Sequence, residues 1–65
     1  MKIYTVVRAA LQEMGEFTMV TTERAFVDKA KAEAYVGAGP TVWNEKIQNV
    51  NYVCERAIHE VELEQ

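Results

Sequence analysis

The stretch TVWNEKIQNVN, Thr41 to Asn51, decides how many helices the fold contains. Its Trp43, Ile47 and Val50 stand at i, i+4 and i+7, the spacing that aligns side chains on one helical face. A short helix is therefore expected here, capped by Thr41 and ended by Asn51, a residue type that tolerates the left-handed backbone. Working back from it, AYVGAGPTVWNE (Ala34 to Glu45) packs two glycines and a proline together. A phosphate-cradling loop needs a strand before its glycines and a helix after them, usually with a lysine at a fixed offset. The segment before these glycines has helical composition instead, so they read as punctuation. Gly37 is placed to take the left-handed conformation past a helix end, and Pro40 prevents the helix from resuming.

That preceding helix is DKAKAEAYV, rich in alanine and lysine, with Asp28 as an N-cap acceptor for the orphan amides of the first turn. Val27, Ala30 and Ala34 share one face of it, with Tyr35 at the flank, and small alanines let it lie close on a sheet. TTERAFVDKAKAEAYV could also be one longer helix starting at Thr21 or Thr22.

Further back, Lys2 to Leu11 is dense in β-branched and aromatic residues and lacks a helical stripe, which reads as a strand. QEMGEF, with Gly15, reads as a turn, and FTMVTTERAFV as the second strand of a hairpin. Forward of Asn51, YVCERAIHEVELEQ alternates through Val53, Glu55, Ala57, His59, Val61 and Leu63 and reads as a third strand. Ile58 falls on the other side of that alternation, so either a bulge shifts the phase near His59 or both faces are partly covered. The expected fold is α+β: a three-stranded, mainly antiparallel sheet with one or two short helices on one face, in the order β-β-α-α-β.

Sixty-five residues make a single domain, 1–65, with a thin core, since so short a chain buries only about 60% of its unfolded surface. Two short helices cannot cover Tyr4, Val6, Phe17 and Met19 together, so a partly apolar face or edge is expected to remain for an interaction. Charge is uneven: Lys2 and Arg8 are the only charges among the first twelve residues, while Glu55, Glu60, Glu62 and Glu64 crowd the last eleven against Arg56. Paired as strands, the two ends would attract each other.

Net charge is −3 with an isoelectric point near 5.0, which opposes the attraction that supplies most nucleic-acid affinity, so no direct nucleic-acid partner is expected. Nor is a membrane, since nothing approaches the roughly 20 apolar residues of a span and the N-terminal run does not read as a signal peptide. One cysteine cannot form an internal disulfide, and a small secreted domain would usually carry several pairs, which favours the cytoplasm.

The chemistry is sparse. Cys54 and His59 stand five apart, opposite in strand parity, so they should face opposite sides and cannot act as a nucleophile pair. A metal needs three or four convergent ligands, and one Cys and one His leave the remainder to carboxylates. There is no serine. The expectation is a non-enzymatic protein with no catalytic, cofactor-binding or metal-binding residues, whose candidate interface is Tyr4, Phe17, Met19, Trp43, Glu60 and Glu62. Trp43 either lids the core or anchors an interface. The alternating Glu60, Glu62 and Glu64 form a solvated edge or dock a basic partner.

The succession KIYTVV, RAFVDKAKAEAYV and IHEVELE resembles small bacteriophage and bacterial proteins of no assigned function, built as a hairpin, an Asp- or Ser-capped alanine-rich helix and a last strand. The resemblance implies a cytoplasmic accessory protein, phage-borne, that carries no transferable site. The sparse chemistry and the thin core with leftover apolar surface point to a function of stoichiometric association with a protein partner, for example as an inhibitor or modulator of a host enzyme. The alternative is a homodimer or larger oligomer with a small-ligand pocket between subunits, lined by Tyr35, Trp43 and Arg24 or Arg56.

Overall fold

A computed structural model describes residues 1–12 and 18–64. The elements are β1 (Lys2–Gln12), β2 (Thr18–Phe26), α1 (Lys29–Gly37), β3 (Val42–Ile47) and β4 (Val50–Glu62). They form one antiparallel four-stranded sheet in the order β2-β1-β4-β3. The expected three-stranded sheet with a second helix is therefore wrong, and the error lies in Thr41 to Asn51.

Those residues form a hairpin, not a helix. Val42 to Ile47 pairs with Val50 to Glu55, closed by the two-residue loop Gln48-Asn49 at φ 50° and 66°. Positive φ at both central residues is the signature of the turn whose twist matches flanking strands. A separation of four is one helical turn and also an even number, so Trp43 and Ile47 share a face under either reading. Val50 completes the helical pattern by coincidence, since it is Ile47's partner across the turn.

The helix begins at Asp28, whose carboxylate accepts the Ala30 N–H at 2.9 Å. It ends without a left-handed residue: Ala38 stays at φ −73°, ψ −11°, its N–H turns back to the Tyr35 carbonyl and the Gly39 N–H to that of Val36. Gly37 thus belongs to the last turn instead of terminating it. The side turned to the sheet is Ala32, Tyr35 and Val36, not the expected Val27, Ala30 and Ala34, all three of which are exposed. Val27 precedes the cap and lies outside the helical repeat. The single long helix from Thr21 is also excluded, because β2 runs to Phe26.

The ladder between β1 and β4 is unbroken from Lys2–Glu62 to Gln12–Tyr52. No bulge interrupts β4, and Ile58 instead falls on the face that the helix covers. The irregularity is in β2, where Val6 faces Arg24 and Val7 faces Thr22, leaving Glu23 as an extra residue.

Strand alternation divides the sheet into two faces. The even-numbered residues of β1 and β4 point toward the helix, together with Trp43, Glu45 and Ile47 of β3. This face holds the core: Val6, Ala10, Tyr52 and Cys54 are buried, with Ala32 from the helix. Met19, Trp43 and Ile47 pack around Ala10, Tyr52 and Cys54. Among the described residues, no helix lies on the odd-numbered face.

Candidate interaction surface

The open face is built in rows across the strands. Ile3 stands beside Val61, Thr5 beside His59 and Ala25, and Val7 beside Ala57 and Thr22. Ala9 follows with Val20 and Glu55, which itself neighbours Val42, and Leu11 with Val53 and Thr18. Leu11, Val20, Val42, Val53 and Val61 are exposed by 44, 67, 59, 43 and 39%. Scattered singly, exposed aliphatics need no explanation, but five on one contiguous face form a patch of the kind that marks binding surfaces. Among the described residues, the charges on this face are Glu55 and Lys46, with His59 as its one imidazole.

None of the described candidate interface residues read from the sequence lies on that face. Tyr4 is half-buried on the helix side, opposite Phe26 and Glu60. Met19 and Trp43 belong to the core cluster. Glu60 and Glu62 pair with Lys2 at 3.8 Å and with the N-terminal amine at 3.3 Å, which realises the expected attraction between the chain ends. Phe17 lies outside the described residues, as does the Gly15 turn. Sequence reasoning missed the open face because β1 and β4 are apolar on both parities. A period of two shows that faces exist, not which one the helix covers.

On the helix side the structure gathers the four residues named for a ligand pocket. The Arg56 guanidinium lies 4.7 Å from the Trp43 ring centre and 6.0 Å from that of Tyr35, over which Arg24 also sits at 5.5 Å. Glu23 fills the space between them. Its carboxylate accepts from Arg56 Nε and Nη2 at 3.2 and 3.0 Å and from the Tyr35 hydroxyl at 2.8 Å. The bulge makes this geometry: the extra residue in β2 lets consecutive Glu23 and Arg24 both reach the helix side. Arg56 holds the Glu23 carboxyl below its ordinary range, against the opposing effect of burial, and Glu23 in turn raises the Tyr35 hydroxyl. The cluster is internally satisfied.

Cys54 and His59 face opposite sides of β4, as their parity requires. The Cys54 thiol is fully buried and donates to Glu45 Oε2 at 3.7 Å, and burial followed by the Glu45 charge pushes its pKa up. That is the reverse of what activates a nucleophile. Among the described residues, no three His, Cys, Asp or Glu side chains converge on a common point, and no helix is long and apolar enough to cross a membrane. A recess of about 210 Å³ beside Asn44, Asn51, Tyr52 and Val53 is smaller than the roughly 300 Å³ at which small-molecule sites begin.

No family model, no curated protein and no solved structure matches this chain.

Proposed function

We propose that this protein is a non-enzymatic interaction module that acts by stoichiometric association with a protein chain through the odd-numbered face of its sheet. The observation that carries the reading is the exposure of Leu11, Val20, Val42 and Val53 together at one end of a face, with Val61 beside Ile3 at the other, that no layer of the described residues covers. A sheet with one apolar face uncovered lacks the second layer that domains use to bury it, and a partner supplies that layer. Net charge −3 supports a protein partner over nucleic acid. The single cysteine, a buried free thiol, supports a reducing compartment.

Site-specific photo-cross-linking in the cells that make the protein tests this. A benzophenone side chain in place of Val53 is expected to give discrete protein adducts, and the same group in place of exposed Glu33 on the helix is expected to give none. Adducts from position 33 alone, or from neither position, would remove the reading.

A further inference from the structure

We infer that the chain occupying the open face is a second copy of this one, packed sheet to sheet about a two-fold axis that crosses the strands at the Val7–Ala57 row. This rests on the reading of that face as an association surface and adds the partner's identity. Three quantities support it.

The first is surface. A folded monomer of 7.4 kDa exposes about 4,200 Å² by the scaling of compact proteins, whereas this chain exposes 4862 Å². The excess, roughly 650 Å², approaches the ~800 Å² that each partner contributes to a standard interface. The second is shape. Extents of 42 × 25 × 15 Å describe a slab whose broad face has an outline of about 1,000 Å², enough for such an interface. The radius of gyration of 13.5 Å exceeds the ~11 Å of a compact chain of this length, as a slab missing its second layer should.

The third is self-complementarity. A two-fold interface sets one patch against itself, so every residue must tolerate its symmetry mate. Val7 and Ala57 are the midpoint of the β1–β4 ladder. An axis across the strands there reverses the order of the rows. Val53 then meets Val61 of the second copy, and Ile3 meets Leu11 of the second copy. Glu55 meets His59 of the second copy, once on each side of the axis. An imidazole N–H can donate to that carboxylate in either of its charge states. The two ionisable groups near the centre of the face thus acquire each other as partners instead of being buried alone, and the central positions are small enough for close approach. Two sheets joined this way form an aligned sandwich.

Light scattering across a concentration series, with variants, tests the inference. The wild-type chain is expected at twice its 7.4 kDa mass at the high end. Val53→Lys and Val20→Lys should each weaken dimerisation by at least about thirtyfold, the effect of an unpaired charge in an interface. Both positions are solvent-exposed in the single chain, so circular dichroism should show the fold retained; Val20 on the edge strand serves if Val53→Lys misfolds. Ala34→Lys, exposed on the helix and so on the other side of the sheet, should leave the dimer intact. Glu55→Lys should weaken it and adding His59→Glu to that variant should restore it. A dimer indifferent to Val53→Lys and Val20→Lys would overturn the inference. So would a monomer at every concentration, in which case cross-linking from position 53 still reports whether the face receives a different protein.

Discussion

Arg8 and Arg56 stand directly opposite each other in the β1–β4 ladder, an arrangement of like charges that destabilises a strand pair unless each finds its own anion. Arg8 has Glu45 at 3.8 Å and Arg56 has Glu23 at 3.0 Å. The second pair is the better shielded, with side chains only 20 and 17% exposed. Glu23→Gln should therefore cost about 1–3 kcal/mol, read from urea unfolding at neutral pH. The pH dependence has a definite sign. The Glu23 carboxyl titrates lower folded than unfolded, so its contribution is complete above its ordinary value of 4.5 and is lost as pH falls through the folded value. The stability gap between wild type and Glu23→Gln should close on acidification. A constant gap would show that the loss arises from packing alone. At the same scale, the buried Cys54 thiol should react with a disulfide reagent only as fast as the sheet opens, with labelling accelerating in parallel with urea-induced unfolding.

At the scale of the element, the β3–β4 hairpin depends on two residues in a conformation that costs an ordinary L-residue roughly 1–2 kcal/mol. Asn49→Gly should raise stability by about 1 kcal/mol, whereas Gln48→Pro, whose ring holds φ near −65°, should open the hairpin and change Trp43 fluorescence. The same turn explains what the sequence concealed. Gln-Asn lacks the glycine that announces a tight hairpin, and the even spacing from Trp43 to Ile47 satisfies helix and strand together. The β1 strand was legible because its β-branched run has one reading; β2 and the Asp28-capped helix were legible only in part, because TTERAFVDKAKAEAYV also reads as one longer helix. The bulge at Glu23 was not legible, since nothing in TTERAF distinguishes an extra residue from an ordinary one. The open apolar face was half legible. Too few helices to cover the apolar residues implied a leftover surface, but its parity depended on the side on which the helix docks, and that follows from the chain's path after Phe26.

At the scale of the whole molecule, a single sheet with one short helix has a core of few residues. Val6, Ala10, Ala32, Tyr52 and Cys54 are its buried hydrophobics among the described residues. Stability in such a chain is coupled to association, because anything that binds only the folded form adds to it by mass action. The thermal midpoint of the wild-type protein should rise with protein concentration, and that of Val53→Lys should not. A midpoint independent of concentration in both would mean that the helix-side core suffices alone.

The most direct test of the account is an isotope-filtered NOE experiment on an equimolar mixture of labelled and unlabelled chains. Intermolecular cross-peaks are expected between the methyls of Val53 and Val61, and between those of Ile3 and Leu11, all on the odd-numbered face. Intermolecular cross-peaks from Trp43, Ile47 or Tyr35, or none at the concentrations used, would contradict it.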